Sequence, residues 1–354
     1  MTAFPSQPIH SRPQAQGLQL PPLENGDRLI RITHRSNSFA SPEANVAQSY
    51  DDFIQALIRL HPQGVVEIIY QVLKPLSTME LSEKLQQVDK LKGWLDSFRP
   101  LPSTVVAELK KLYDVKFTYN SNAIEGNTLT QSETALVLET GITIGGKTLR
   151  EHLEVIGHKD AIDYIETLTQ SETEVGEWEI KQIHNLILRS ISPEEAGRYR
   201  QLDVKAAGTE YLYPPHYLLG DLMQEFIGWL NSAESKILHP LEYAAEAHLR
   251  FVSIHPFRDG NGRTGRLLMN LLLLRAGYPI VVISSQVRKA YIDAIVDAQQ
   301  HGSDVSQLLN LIIDSAQDSL IETLQILATA SDSRGRGAPF YEEMLAFLQH
   351  TREN

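Results

Sequence analysis

The 354-residue chain contains no cysteine, which excludes disulfides, a thiolate nucleophile and cysteine-ligated metal centres. Basic residues are in deficit: 32 Lys and Arg stand against 44 Asp and Glu, a formal charge of −12. Phosphate contacts along a nucleic acid need clustered Lys and Arg, so general binding to DNA, RNA or an anionic membrane is disfavoured, and a nuclease with it. No uninterrupted apolar run approaches membrane-spanning length. The first residues hold no basic segment followed by an apolar one, and no repeat of solenoid period is visible. The expectation from these absences is a soluble cytoplasmic protein with no nucleic-acid or membrane partner. Core material is ample: 42% of the residues are hydrophobic, enough at this length for one large domain with an appendage or for two domains.

The periodicity is helical almost throughout. Residues 1–49 are rich in Pro, Gln, Ser and Asn and read as a mobile leader, with a short extended piece at Leu29–Ile32. Residues 50–100 form a small N-terminal helical region, with apolar positions at Phe53, Leu57 and Leu60, at Val65, Ile69, Val72 and Leu73, and at Leu81, Leu85, Val88, Leu91 and Leu95. Pro100 and Pro102 end it, and Ser103 offers an N-cap for the next helix. Thr130 to Glu133 reads as a capping box. Further helices are expected from about Leu219, Pro240, Asn261, Ser285 and Asp304. Between Gly197 and Pro215 the pattern changes: Val204, Tyr211 and Tyr213 flank Ala206-Ala207-Gly208, which suggests a β-hairpin. A main domain over 101–330, and a linker with a short helix over 331–354, complete an all-α reading with one hairpin.

The chemistry concentrates in His255-Pro256-Phe257-Arg258-Asp259-Gly260-Asn261-Gly262-Arg263-Thr264-Gly265-Arg266. Glycines at 260 and 262 let backbone amides converge into a nest, and the helix that follows places its positive end there. Arg263 and Arg266 share a helix face and could clamp a di- or triphosphate. Asp259 suits a Mg²⁺ ion bridging phosphate oxygens. His255 is the candidate general base, Phe257 anchors the loop, and the amide of Asn261 could orient a phosphate oxygen. The apolar stretch Leu267–Leu274 should form a buried rod that fixes the site. Upstream, Ser121 and Glu125 lie four apart on one helix face, and Gly126-Asn127 should end that helix. Glu125 then sits near the negative end of a helix dipole, where a nearby cation would offset its charge.

The 255–266 run resembles the signature of the Fic family. Further similarity lies in Ala123-Ile124-Glu125-Gly126-Asn127-Thr128-Leu129, Glu154-Val155-Ile156-Gly157, Glu195–Arg200 and Arg275–Pro279. It covers roughly Leu101 to Ala330 and is strongest to the metazoan endoplasmic-reticulum members that modify a chaperone. The membrane anchor and tetratricopeptide repeats of those relatives are not visible in this leader. The resemblance implies a Fic helical bundle with a β-hairpin flap, and a protein adenylyltransferase using ATP with Mg²⁺ or Mn²⁺. His255 would activate a Ser, Thr or Tyr hydroxyl of a target protein docked on the 204–213 hairpin. Nucleotide contacts would come from Val204, Lys205, Ala206 and Gly208 of the flap, from Asp259 through Arg266 including Gly260, Asn261, Gly262, Arg263, Thr264 and Gly265, and from Tyr291 and Gln299 near adenosine. Gln299 stands where Asn is usual, Ile292 where an aromatic is common, and the hairpin is longer.

The resemblance also assigns Ser121, Glu125 and Gly126 to an inhibitory helix near 118–126. There the Glu pairs with the second motif arginine, here Arg266, and blocks the γ-phosphate. In similar relatives the same Glu helps remove AMP from the target, which makes a bifunctional enzyme an expectation. A homodimer through the 50–98 helices is a further expectation. The rival readings are a Fic-fold transferase using another donor, such as UMP, phosphocholine or a phosphate, and a non-catalytic binding module.

Overall fold

A computed structural model of the chain describes residues 65–171, 173–205, 211–302, 304–330, 337 and 341–353. The chain divides into two units, Met1–Met79 and Glu80–Asn354. The expected leader, the extended piece at Leu29–Ile32 and the helical positions Phe53, Leu57 and Leu60 lie outside the described residues. Twelve α-helices carry the fold among those described. They are α1 (Val65–Ser97), α2 (Ser103–Ile124), α3 (Gln131–Thr140), α4 (Leu149–Thr169), α5 (Glu177–Leu188), α6 (Leu219–Leu230), α7 (Ala233–Lys236), α8 (Pro240–Ile254), α9 (Asn261–Arg275), α10 (Arg288–Gln300), α11 (Ser306–Thr329) and α12 (Tyr341–Glu353). No strand occurs among the described residues, so the class is all-α. The tip of the expected hairpin, 206–210, lies outside them. None of these helices is long and apolar enough to cross a membrane.

α9 is the centre. Leu267, Leu268, Met269, Leu271 and Leu273 are all fully buried, so the helix is apolar all round and must be enclosed by others. It packs mainly on α8, then on α4 and α5, with α2 along its N-terminal half. Each such side chain contributes roughly 1.5–3 kcal/mol on leaving water. The polar Asn270 is accommodated because its amide exchanges hydrogen bonds with Val281 N–H and C=O at 2.7 and 3.0 Å. This ties the chain after α9 to the rod. The N-terminus of α9 is therefore held by a buried rod packed against α8, α4 and α5.

Local signals account for several boundaries. Thr130 and Glu133 form the anticipated capping box on α3, and Thr148 with Glu151 forms a second on α4. The sequence suggests Ser103 as the cap of α2, but Pro102 takes that place with no side-chain cap bond, its φ of −57° already suited to starting a turn. α10 begins only at Arg288, after a 3₁₀ turn at Ser285–Val287. α12 returns Met344 and Leu348 to the core, and its Phe347 meets Trp94 edge-on at 5.5 Å.

Candidate active site

α8 ends at Ile254, and His255 follows with φ 52° and ψ 57°. It is the one non-glycine with positive φ among the described residues. That backbone region is unfavourable for an L-residue and persists where the surroundings hold it. Arg200 does so: its Nε donates to His255 O at 2.9 Å and its backbone N–H to Pro256 O at 3.0 Å. The same guanidinium donates to Leu202 O and Pro214 O, at 3.1 and 2.6 Å, on either side of the 204–213 segment. The sequence reading treats Arg200 only as part of a landmark, and its organising role was missed. The available signal was an arginine three residues beyond Gly197, since a buried guanidinium needs several acceptors.

His255 Nδ1 lies 3.3 Å from Val252 O. A carbonyl can only accept, so Nδ1 carries the proton and Nε2 keeps its lone pair. Burial pushes the His255 pKa down to about 4, and the Arg200 charge adds to this against the Val252 hydrogen bond. The imidazole is thus neutral near pH 7. Tyr213 packs on it with ring centroids 4.1 Å apart.

The loop beyond is closed on itself. Asn261 Oδ1 accepts from Phe257 N–H at 2.9 Å and Asn261 Nδ2 donates to Phe257 O at 2.8 Å. The side-chain amide, expected to orient a phosphate oxygen, is bonded to the loop itself. His184 stacks on Phe257 at 3.6 Å and donates from Nε2 to Asp259 O at 2.9 Å. Gly260 adopts φ 78° with a side chain of His184 so close that a Cβ would stand 3.3 Å from it. The loop thus approaches α5 where a side chain would crowd it.

Asp259, Arg263 and Arg266 come together at this N-terminus. Asp259 Oδ1 accepts from Gly260 N–H at 2.6 Å and from Arg263 Nη2 at 3.3 Å, and Oδ2 accepts from Arg150 Nη2 at 2.9 Å. Burial would raise its pKa, but Arg263, the Gly260 N–H and Arg150 outweigh that and hold it below the ordinary value. Arg150 was not anticipated, and nothing in its local sequence announced it. Among the described residues no cluster of three His, Asp or Glu could hold a metal alone. A single carboxylate does fit Mg²⁺ that arrives on a nucleotide, because that ion keeps waters and takes its other ligands from phosphates.

Glu125 reaches the same place from α2. Its Oε1 accepts from Arg266 Nη2 at 2.7 Å, while Ser121 Oγ and Ser121 O accept from Arg266 Nε and Nη2 at 3.0 and 2.8 Å. The carboxylate lies so close over Gly262 that any β-carbon there would collide with it. Burial acts to raise the Glu125 pKa, and Arg266 with Arg263 overcomes it, leaving the group below its usual value. α2 ends at Ile124, and Gly126 takes φ 99°.

The remaining expected residues divide. Thr264 and Gly265 face inward: Thr264 is fully buried with its N–H bonded to Gly260 O at 2.9 Å, and Gly265 backs onto His248. Both were expected to contact nucleotide; Gly265 lies against α8 through His248 and Val252. Tyr291 is 1% exposed. Its hydroxyl sits 2.6 Å from His248 Nε2 and 3.4 Å from Arg266 Nη1, behind the arginine. Gln299 bonds Ser253 Oγ at 3.2 Å, two residues before His255. Val204 and Lys205 lie at the near end of the 204–213 segment, while Ala206 and Gly208 lie outside the described residues.

The Fic/DOC family profile matches residues 174–273, which include the whole 255–266 run. "Protein adenylyltransferase Fic" of Culex quinquefasciatus is 37% identical over 239 residues, covering 67% of this chain and 47% of that protein. A Fic domain containing signaling protein of Bacteroides thetaiotaomicron is similar in structure, with 30% identity, a TM-score of 0.60 and coverage of 69% of this chain and 96% of that one. Fic-1 of C. elegans (residues 134–508) gives a TM-score of 0.71 at 27% identity, covering 87% of this chain and 95% of that one. The chain spans about half the length of the curated relatives it matches.

Proposed function

Because the chain belongs to the Fic/DOC family, we propose that it is a protein adenylyltransferase that moves AMP from ATP to a hydroxyl of a target protein and is restrained by its own Glu125. One observation carries the reading: a carboxylate of the same chain lies over Gly262 at the N-terminus of α9 and is bonded to the buried Arg266. A built-in anion at an anion-binding helix terminus is what a triphosphate would have to displace.

In this reading His255 Nε2 takes the proton of a Ser, Thr or Tyr hydroxyl as its oxygen attacks the α-phosphorus. The bond to the β-phosphate breaks, and pyrophosphate leaves with the bonding electrons. Arg263 and Arg266, with the free N–H groups of the first turn of α9, hold the phosphates. Asp259 would hold the Mg²⁺ or Mn²⁺ that accompanies ATP and supplies charge neutralisation. The 204–213 segment, braced by Arg200, would form the hairpin flap on which the target strand lies. Ser121 positions Arg266 for the brake, and Gly126 frees the chain to turn away beyond it. Tyr291, behind Arg266, and Gln299, beside Ser253, would stand near the adenosine.

The experiment is label transfer from α-labelled ATP to proteins of a host lysate. Glu125→Gly should label and wild type should label weakly, while Glu125→Gly with His255→Ala should be silent. Transfer from no nucleotide by Glu125→Gly would favour a binding module instead. A second donor deserves inclusion because Gln299 and the 37%-exposed Ile292 depart from the residues common in relatives; UTP competing equally with ATP would shift the assignment. In the same reading Glu125 would also orient a water that releases AMP from a modified target. Release by wild type and not by Glu125→Gly is expected, and equal failure of both removes this half of the proposal.

A further inference from the structure

Arg150 stands in the first turn of α4, two residues after the Thr148 cap. Local rules do not explain it there. A cation near a helix N-terminus is disfavoured by the dipole, and its i,i+4 partner Glu154 lies on the C-terminal side, the weaker order for such a pair. Its position is explained by what it crosses to reach. Nη2 donates to Asp259 Oδ2 at 2.9 Å, while Nε keeps Glu154 Oε1 at 3.2 Å.

Asp259 has two oxygens and they are not equivalent. Oδ1 is committed to Gly260 N–H and Arg263. Oδ2 is the one that can meet an incoming cation, and a guanidinium already holds it. We propose that Arg150 is an internal stand-in for the divalent cation: it neutralises Asp259 in the resting protein, must release it when Mg²⁺ arrives with nucleotide, and so sets how much Mg²⁺ the site requires. The inference rests on the nucleotide site proposed above. It concerns the opposite end of that site from Glu125.

The arrangement suits release. The Arg150 side chain is 54% exposed, with solvent to move into, whereas Arg263 is 2% exposed and enclosed. When it leaves, Arg150 retains a carboxylate, because Glu154 stays behind. Glu154 is itself anchored through Oε2 to Asn127 Nδ2 at 3.0 Å and approaches Arg263 Nη1 at 3.6 Å. Asn127 follows Glu125 by two residues, so the chain that carries the brake also steadies the partner to which Arg150 retreats.

The test measures ATP binding calorimetrically across a Mg²⁺ titration, in the full chain carrying Glu125→Gly, with and without Arg150→Ala. One half-exposed ion pair amounts to no more than about fivefold in an equilibrium. The half-saturating Mg²⁺ should therefore fall about threefold to fivefold, with ATP affinity at saturating Mg²⁺ unchanged. Arg150→Lys, which keeps the charge, should stay near the parent. Unfolding midpoints without ligand confirm that each variant folds. An unchanged Mg²⁺ requirement overturns the inference by making the pair a plain surface contact. Weaker ATP binding at every Mg²⁺ concentration overturns it by making Arg150 a phosphate ligand. If the Glu125→Gly parent binds no ATP, the nucleotide site itself is wrong and this inference goes with it.

Discussion

Arg263 and Arg266 lie one turn apart on α9 and are equally buried, 2% and 1% exposed, yet their surroundings differ. Arg266 donates to Ser121 Oγ, Ser121 O and Glu125, with Tyr291 Oη at the edge of range. Arg263 has one hydrogen bond, 3.3 Å to Asp259, and its Nε and Nη1 make none among the described residues. Buried donors left unpaired are costly and rare. The resting protein thus meets Arg266 with three hydrogen bonds from Ser121 and Glu125, and Arg263 with a single one to Asp259, beside a looser ion pair to Glu154. In the reading proposed above, Glu125 occupies the end near Arg266, and the unpaired donors of Arg263 would meet the nucleotide.

The largest effect should come from removing the occupant. Glu125→Gly frees Arg266 and takes no hydrogen bond from Arg263. Holding 99% of molecules closed takes about 2.7 kcal/mol, so transfer of labelled AMP should rise by up to about 100-fold. A rise of less than about threefold would mean that Arg266 is bonded to Glu125 for stability alone, and the contrast between the two arginines would lose its functional meaning.

Exchanging each arginine in turn sharpens the comparison. Arg266→Gln strips Glu125 and Ser121 of their partner and should lower stability by about 1–2 kcal/mol, discounted because Glu125 is 39% exposed. At this size that is about 2–8 °C in Tm. Arg263→Gln removes a guanidinium with one hydrogen bond, to Asp259, and a looser ion pair to Glu154, so the unliganded Tm should fall by less than in Arg266→Gln. ATP affinity in the Glu125→Gly background should nevertheless fall about tenfold or more, the worth of a charged phosphate contact. Equal Tm losses in the two variants would contradict the asymmetry.

How much of this was legible in sequence follows from the same residues. The apolar rod after Asn261, the capping box at Thr130 and the helix end at Gly126 are local patterns, and their periodicity or turn chemistry was enough to place them. The convergence of Glu125 on Arg266 spans 141 positions and came from a family resemblance, with no local signal for it. For Asn261, Thr264 and Gly265 the motif string does not say which way each residue turns on the helix. Arg200 and Arg150 were missed for the reason that each acts across the fold, through backbone carbonyls or a single distant carboxylate.

A pH dependence should touch both ends alike. His184 supports the carbonyl of Asp259, and His248 supports Tyr291 behind Arg266. Burial pushes both pKa values down to about 4, in each case against a backbone hydrogen bond. An imidazole whose folded pKa lies below its unfolded value of about 6.5 takes up a proton on unfolding. Its contribution is therefore complete above pH 6.5 and is lost as the pH falls toward 4. Each histidine should contribute a slope of up to about 1.4 kcal/mol per pH unit in that window. His255, also lowered to about 4, adds to the same slope. Between pH 6.5 and 4 the Tm should therefore decline steadily, and His248→Gln should flatten part of the decline while leaving Asp259 undisturbed. Transfer by Glu125→Gly should stay flat from pH 8 down past 6.5, because His255 remains a neutral base until near pH 4. A fall in rate centred near pH 6.5 would place the imidazole in water, and the buried geometry at α8 could not then be the one that reacts.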